Sequence, residues 1–262
     1  MRHKPWGWLY RLYDRRVLNT LDQSETMPRH VGVITDGNRR WAREFGATAE
    51  DGHRRGADKI LEFLQWCGEI GVEIVTLYVL SKDNLSRSPH ELEVLSGIIG
   101  ELVERIGESR DYALRIVGNV EGIPASLAHT IDTALATANT HEDDTQSSIM
   151  RVNIAVGYGG RQEIVDAVAS WLRTQAESGL TCREASEAIN ETAIADHLYT
   201  KGLPDPDLII RSSGEQRLSG FLMWQSVYSE FYFCEAFWPA FRKTDFLRAV
   251  RSYGQRQRRF GR

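Results

Sequence analysis

Six short apolar runs recur along this chain of 262 residues, and amphipathic segments lie between most of them. Runs that are rich in Val, Ile and Leu at nearly every position are typical of strands buried on both faces of a parallel sheet. We therefore predict strands at residues 30–35, 74–80, 114–118, 152–156, 208–211 and 231–233.

The intervening segments have the spacing of apolar residues that is typical of helices packed on a sheet. Helices are predicted at residues 57–69, 91–109, 125–139, 161–177, 191–199 and 245–258. This alternation predicts a single α/β domain whose mainly parallel sheet is covered by helices on both faces. In such folds, ligands bind outside the carboxyl ends of the strands.

The overall charge limits the class of ligand. Thirty-six acidic residues outnumber 32 basic ones, which gives a net charge of -4 and argues against nucleic acid as a partner. An anion site must then depend on local clusters of cations. Three widely spaced cysteines, Cys67, Cys182 and Cys234, form no disulfide framework and favour a cytoplasmic location. No apolar run approaches the ~20 residues of a membrane-spanning helix.

Residues 1–28 are predicted to be a separate basic, aromatic leader that precedes a globular domain at residues 29–262. In residues 1–16, five basic residues stand against Asp14 alone and alternate with aromatic residues such as Trp6 and Trp8. This composition is consistent with two roles. The leader could be a helix that caps the domain, or it could give peripheral contact with an anionic membrane, such as the inner face of the plasma membrane.

The first predicted strand ends in the turn tripeptide Asp36-Gly37-Asn38, which two arginines, Arg39 and Arg40, follow at once. A strand-turn-helix junction presents backbone N–H groups to an anion, and arginine side chains suit phosphate oxygens. A lone carboxylate beside such a site suggests a divalent metal that bridges to phosphate. The alternative is an ordinary turn, in which Asp and Asn serve only as turn formers.

The pattern His-x5-Asp-Gly-Asn-x-Arg-Trp at residues 30–41 resembles the first signature of the cis-prenyltransferases, the undecaprenyl diphosphate synthase-like enzymes. Further segments resemble this family in the expected order, at residues 52–56, 76–87, 153–161, 207–233 and 259–261. The resemblance spans roughly residues 28–262. It implies a central six-stranded, mostly parallel sheet with flanking helices and a hydrophobic tunnel, and a homodimer that condenses isopentenyl diphosphate with an allylic diphosphate.

The resemblance also implies roles for particular residues. Those expected to bind the allylic diphosphate or to lie beside it are Gly37, Asn38, Arg39, Arg40, Trp41, His53 and Arg87. Those expected to bind isopentenyl diphosphate are Arg211, Arg217, Ser219 and, from the other subunit, Gly261. Asp36 is the expected catalytic carboxylate and, with Glu230, the expected ligand of Mg²⁺. Ser81 and Asn84 are expected to position the substrates and the proton that is lost.

Departures from the family pattern bear on the product. Val79 lies where long-chain members tend to have alanine near the tunnel, and Leu85 replaces a frequent tryptophan. Extra bulk in a tunnel would block a growing tail, so we predict a short product of the farnesyl class, from one cis addition to geranyl diphosphate. Ala49 stands where an arginine is common, and Arg54 or Arg55 could replace that phosphate contact.

Other functions remain as alternatives. These are a long-chain synthase, a non-catalytic partner subunit of a heteromeric prenyltransferase, and a metal-dependent phosphohydrolase that uses Asp36. The trans-prenyltransferases need an Asp-Asp-x-x-Asp motif. After the adjacent pair Asp143-Asp144, Ser147 stands where this motif requires its third aspartate, so the motif is absent.

Overall fold

A computed structural model describes residues 27–142 and 149–256. Six strands form one sheet, and all five neighbouring pairs are parallel, in the order β3-β4-β2-β1-β5-β6. The strands are β1 (His30–Ile34), β2 (Ile74–Ser81), β3 (Tyr112–Val117), β4 (Met150–Tyr158), β5 (Leu208–Arg211) and β6 (Glu230–Phe233). The predicted strands are therefore confirmed, with ends that differ by two residues at most.

Eight α-helices lie in the described part of the chain. They are α1 (Asn38–Glu44), α2 (Ala49–Glu69), α3 (Pro89–Gly107), α4 (Ala125–Glu142), α5 (Gly160–Glu177), α6 (Cys182–Ala188), α7 (Glu191–Ala195) and α8 (Lys243–Gln255). None of these helices is both long and apolar enough to span a bilayer.

Two clusters of buried side chains cover the two faces of the sheet. In β1, Val31 and Val33 belong to the larger cluster, which includes side chains of α2, α3, α4 and α8. Ile34 packs in the smaller cluster with Phe221 and Leu222. Successive side chains of a strand point to opposite faces, so the two clusters lie on opposite sides of the sheet. The predicted single α/β domain is confirmed.

Helix α2 begins eight residues before its predicted start. Thr48 and Asp51 form a reciprocal capping box, in which the Thr48 hydroxyl accepts from the Asp51 N–H at 3.1 Å. Such a pair stabilises a helix start, so the helix includes Gly52 and Gly56, which in sequence are typical of breaks. Gly52 and His53 therefore lie within the helix and not before it.

Helix α7 ends four residues before its predicted end at residue 199. The N–H of Tyr199 donates to the carboxylate of Glu163 at 3.1 Å instead of to a carbonyl of its own helix. The α-helical pattern is already lost before Tyr199, because the N–H groups of His197 and Leu198 donate to carbonyls three residues back.

Candidate active site

The carboxyl ends of the three central strands bring the predicted site residues together. Ile34, at the end of β1, is in register with Tyr78 of β2 and with Arg211 of β5. The segment Thr35-Asp36-Gly37 therefore leaves the sheet between the ends of two neighbouring strands. This is the edge at which parallel α/β sheets bind ligands.

Glycine is required at position 37. Gly37 has φ 100°, in the left-handed region, and a Cβ there would lie 2.7 Å from Cδ1 of Phe237. With this conformation the chain turns directly into α1. Asn38, the first residue of α1, packs so closely on α2 that a Cβ on Gly56 would lie 2.6 Å from its Oδ1. The glycines of α2 thus permit close contact between the two helices that flank the turn.

A chain of alternating charges runs across one side of the site. Oδ2 of Asp36 accepts from Nη2 of Arg211 at 2.8 Å and lies 3.2 Å from Nη2 of Arg40. Nη1 of Arg40 donates to Oε1 of Glu215 at 3.2 Å, and the other oxygen of Glu215 pairs with Arg217. Five side chains thus alternate in sign from Arg211 to Arg217.

Asp36 is held in its charged form. Its partial burial raises its pKa, but hydrogen bonds from Arg211 and Ser213 and the charge of Arg40 outweigh this effect, so the pKa lies below its ordinary value. The backbone is fixed as well, because the Asp36 N–H donates to Oγ of Ser212 at 2.9 Å. The carboxylate is therefore ionised and rigidly placed.

Arg211 is nearly fully buried, with 4% of its side chain exposed. Besides Asp36, its guanidinium donates to Oγ of Ser219 at 2.8 Å and to the carbonyl of Arg217. Its Nε has no partner among the described residues. Arg211 thus fastens the loop after β5 to the end of β1.

A second cluster of cations lies on the other side of the site. Oε1 of Glu91, in the first turn of α3, lies 3.3 Å from Nη1 of Arg39 and 3.1 Å from Nη1 of Arg87. His53 lies beside these groups. Its burial, followed by the charges of Arg87 and Arg39, lowers its pKa to about 4. The imidazole is therefore neutral at physiological pH, and its buried Nε2 has no partner among the described residues.

Ser81 and Asn84 bond to each other at the end of β2. The Ser81 hydroxyl accepts from the Asn84 N–H at 3.2 Å, and Oδ1 of Asn84 accepts from the Ser81 N–H at 3.3 Å. This capping box starts the 3-10 turn Lys82–Ser86. Both residues therefore have a structural role in addition to lining the site.

Most of these groups line one cavity of about 680 Å³, which has a charged part, the mouth, and an apolar part, the interior. Its mouth is lined by six arginines, Arg39, Arg40, Arg43, Arg87, Arg211 and Arg217, against three carboxylates, Asp36, Asp83 and Glu215. The apolar interior, between β2, α2 and α3, includes Ala57, Ile60, Val79, Leu95, Ile98, Ile99 and Leu102. Such a cavity can hold an anionic head and a hydrocarbon tail.

The family model described as "Putative undecaprenyl diphosphate synthase" matches residues 34–261 of the chain. The chain is a prenyltransferase of this family. It is 55% identical to (2Z,6E)-farnesyl diphosphate synthase of Thermobifida fusca, over 97% of each chain. It is 49% identical to short-chain Z-isoprenyl diphosphate synthase of Mycobacterium bovis, over 97% of this chain and 96% of that one.

A solved structure of the cis-prenyltransferase type has the same fold. It is lavandulyl diphosphate synthase from Lavandula x intermedia in complex with dimethylallyl diphosphate. Its TM-score is 0.80 at 32% identity, and the match covers 90% of this chain and 99% of that one.

Twelve of the residues predicted from sequence line the cavity of this prenyltransferase. They are Asp36, Gly37, Asn38, Arg39, Arg40, His53, Ser81, Asn84, Arg87, Arg211, Arg217 and Ser219. Trp41 does not line it; its ring packs against that of Phe45 in a tilted arrangement with centroids 5.2 Å apart. Gly261 and residues 1–26 of the leader lie outside the described residues.

The structure does not bring Glu230 to Asp36. Glu230 begins β6 in register with Leu208, the first residue of β5, and forms an ion pair with Arg256. It therefore lies at the amino-end edge of the sheet. Three residues of strand, or about 10 Å, and two strand spacings of ~4.8 Å separate it from the end of β1. Within one chain, the two carboxylates cannot share an ion whose ligands lie at about 2.1 Å.

Arg54 and Arg55, the candidates to replace the arginine that is absent at Ala49, do not line the cavity. Arg54 pairs with Glu50 and Glu101 on the helix surface. Val79, in contrast, lies in the apolar part of the lining, as the product prediction requires.

Three residues of the site were not predicted from the sequence. Glu91 and Glu215 each join two arginines, and Tyr78 donates from its hydroxyl to the carbonyl of Ser219 at 3.4 Å. A signal for Glu215 was present, because it lies between two predicted ligands in the same loop. Glu91 lies 52 residues from Arg39 along the chain, so only the fold reveals that pair.

The residues at the mouth could provide a magnesium ion with a single carboxylate ligand. No group of three or more His, Cys, Asp or Glu side chains in the described ranges could hold a metal ion by itself. Mg²⁺ commonly keeps several waters and binds one or two carboxylates together with substrate phosphates. Asp36, which is ionised and exposed to the cavity, is suited to that role.

Proposed function

We propose that this prenyltransferase condenses isopentenyl diphosphate with geranyl diphosphate to give a short product such as (2Z,6E)-farnesyl diphosphate. The observation that carries the proposal is the single cavity with an arginine-rich mouth and an apolar interior. The names of the relatives from Thermobifida fusca and Mycobacterium bovis support a short Z product.

The mouth is suited to two polyanions. Its lining has three more cations than carboxylates, although the whole chain has a net charge of -4. We assign the allylic diphosphate to the side of α1 and α2, where Asn38, Arg39 and His53 lie with Arg40 and Arg87. We assign isopentenyl diphosphate to the loop after β5, which provides Arg211, Arg217 and Ser219. The cations of both sides attract substrate and stabilise charge.

In the reaction, the bond between the allylic carbon and its diphosphate breaks, and a bond to isopentenyl diphosphate forms. Negative charge then grows on the leaving diphosphate, where Arg39 and Arg40 stabilise it. A bound Mg²⁺ would neutralise part of this charge, with Asp36 as its ligand. Ser81 and Asn84 orient the substrates as isopentenyl diphosphate loses a proton.

The interior limits the product. Cavities of roughly 300–1,000 Å³ accommodate ligands of drug size, and the volume of about 680 Å³ falls in that range. Val79 contributes bulk where the tail would grow. One addition to geranyl diphosphate is therefore favoured over a long ladder of additions.

A homodimer would complete the proposal. In a second chain, Gly261 would approach the isopentenyl site, and Glu230 could bind the Mg²⁺ only through such an assembly.

Residues 1–28 would give peripheral membrane contact from the cytoplasm. Sedimentation of the full chain and of a deletion of residues 1–20 with anionic vesicles tests that contact, and equal sedimentation would contradict it.

The test of the function is a product analysis. Purified protein, Mg²⁺ and isopentenyl diphosphate are incubated separately with dimethylallyl, geranyl and farnesyl diphosphates, and the products are identified by mass spectrometry and chromatography. We expect a single cis addition to geranyl diphosphate. A long ladder would favour a long-chain synthase. No condensation with any starter would favour the non-catalytic partner subunit.

A further inference from the structure

The two cations that Glu215 joins differ in how firmly other groups hold them. Arg40 also donates to Oγ of Ser213 at 2.7 Å, lies 3.2 Å from Asp36, and covers the ring of Phe237 at 5.6 Å. These three contacts would keep the Arg40 guanidinium in place without Glu215.

Arg217 lacks such support. Its side chain is 62% exposed, and Glu215 is the one side chain with which it pairs among residues 27–142 and 149–256. The backbone of Arg217 is fixed, because its carbonyl accepts from Arg211, but its long side chain would be free to rotate in water without Glu215. Ordering such a long, rotatable side chain costs conformational entropy.

Glu215 itself is placed by the loop and by its first partner. It lines the cavity, its side chain is 30% exposed, and one of its oxygens is held by the fixed Arg40. The carboxylate therefore links a rigid cation to a loose one. Because each guanidinium has five N–H groups, both arginines keep donors for a substrate while they pair with Glu215.

We propose that Glu215 is a positioning residue that orders Arg217 for the diphosphate of isopentenyl diphosphate. The inference rests on the proposed function, since it names the substrate of this half of the mouth. Glu215 pairs with the firmly held Arg40 and thereby fixes the place of the Arg217 guanidinium. Without the carboxylate, the binding of isopentenyl diphosphate must include the cost of ordering Arg217.

Glu91 provides a matched case on the other side of the mouth, because it also joins two arginines, Arg39 and Arg87. Because Arg40 is held by its other contacts, loss of Glu215 should loosen Arg217 alone, whereas loss of Glu91 should loosen Arg39 and Arg87. Glu215→Gln and Glu91→Gln should therefore weaken the binding of different substrates. Glu73, which pairs with Arg29 at the start of β1, provides a control for the loss of an exposed ion pair far from the cavity.

The experiment is a titration of isopentenyl diphosphate into each variant by calorimetry, with Mg²⁺ and with geranyl thiolodiphosphate, an unreactive analogue, occupying the allylic site. We expect Glu215→Gln to raise the Kd of isopentenyl diphosphate about tenfold, and Glu73→Gln to leave it within twofold of the wild type. Glu215→Asp, which keeps the charge on a shorter side chain, should give an intermediate Kd.

Steady-state kinetics separate positioning from a general loss of structure. Glu215→Gln should raise the KM of isopentenyl diphosphate while that of geranyl diphosphate changes less than twofold, and Glu91→Gln should show the reverse. Equal changes in both KM values, or an unchanged Kd in Glu215→Gln, would overturn the inference. If the wild type binds isopentenyl diphosphate but condenses it with no starter, the proposed function fails while the calorimetric test of Glu215 remains valid.

Discussion

The mouth and the interior of the cavity differ in what fixes their shape. At the mouth, ion pairs and hydrogen bonds hold Asp36, Arg40 and Arg211 at distances of 2.8–3.2 Å. In the interior, Val79, Leu95 and similar side chains are fixed by packing alone. We infer from this comparison that the mouth determines binding and rate, whereas the interior determines the length of the product.

Loss of the central carboxylate should have the largest effect. In Asp36→Ala, Arg211 and Arg40 face each other without their shared partner, and we expect turnover to fall by about 10³-fold or more. Because Arg211 is nearly buried, the variant should also lose stability, by a few kcal/mol.

Asp36→Asn separates the two effects, because it keeps the size and an acceptor oxygen. It should unfold in urea closer to the wild type and yet remain inactive. Near-normal turnover in either variant would remove Asp36 from the mechanism and with it the chemical role of the mouth.

The pH dependence of stability tests the burial of His53. In the unfolded chain His53 binds its proton near pH 6.5, and in the folded chain it does so only near pH 4. Between these values the unfolded state binds more protons, so stability should decrease as the pH falls from 6.5 to 4, by up to about 3 kcal/mol.

Replacement of the imidazole should remove this contribution. Urea unfolding at pH 4.5 and pH 7 should differ less in His53→Gln than in the wild type, and equal differences would show that His53 is not the group responsible. Addition of geranyl diphosphate should raise the pKa of His53, which NMR titration of the imidazole would detect.

A smaller effect is expected where α1 meets α2. A methyl group in Gly56→Ala would collide with the side chain of Asn38, and should cost about 2 kcal/mol of stability and raise the KM of geranyl diphosphate. Gly97 of α3 is the matched control, since a Cβ there would meet nothing within 4 Å. Gly97→Ala should stabilise the chain by about 0.5–1 kcal/mol. If Gly56→Ala changed the length of the product and left the KM of geranyl diphosphate unaltered, the division between mouth and interior would be contradicted.

The sequence predicted the strands well because each is apolar at almost every position, so that little else could be made of those runs. Asp36 directly follows the first predicted strand and Arg211 ends β5, so both lie at strand ends, but their roles were predicted from the family resemblance. The start of α2 was wrong because Gly52 and Gly56 look like breaks in a helix, and their reason for being there, contact with Asn38, is tertiary.

Longer-range features could not be predicted in this way. The pairing of Arg39 with Glu91 depends on where the fold places the start of α3 relative to α1, which no local pattern encodes. For Glu230, the family pattern indicated a metal ligand, but the parallel register of β5 and β6 places it at the opposite edge of the sheet from Asp36. Its role in binding Mg²⁺ stays a prediction that requires a second chain.

The division between mouth and interior is tested most directly by the products of Val79→Ala, measured beside those of the wild type and of Arg217→Ala, with geranyl diphosphate as the starter. We predict that the wild type and Arg217→Ala make the same 15-carbon product at different rates, while Val79→Ala adds one or more further isoprene units. An unchanged product in Val79→Ala, or a longer one in Arg217→Ala, would contradict the account.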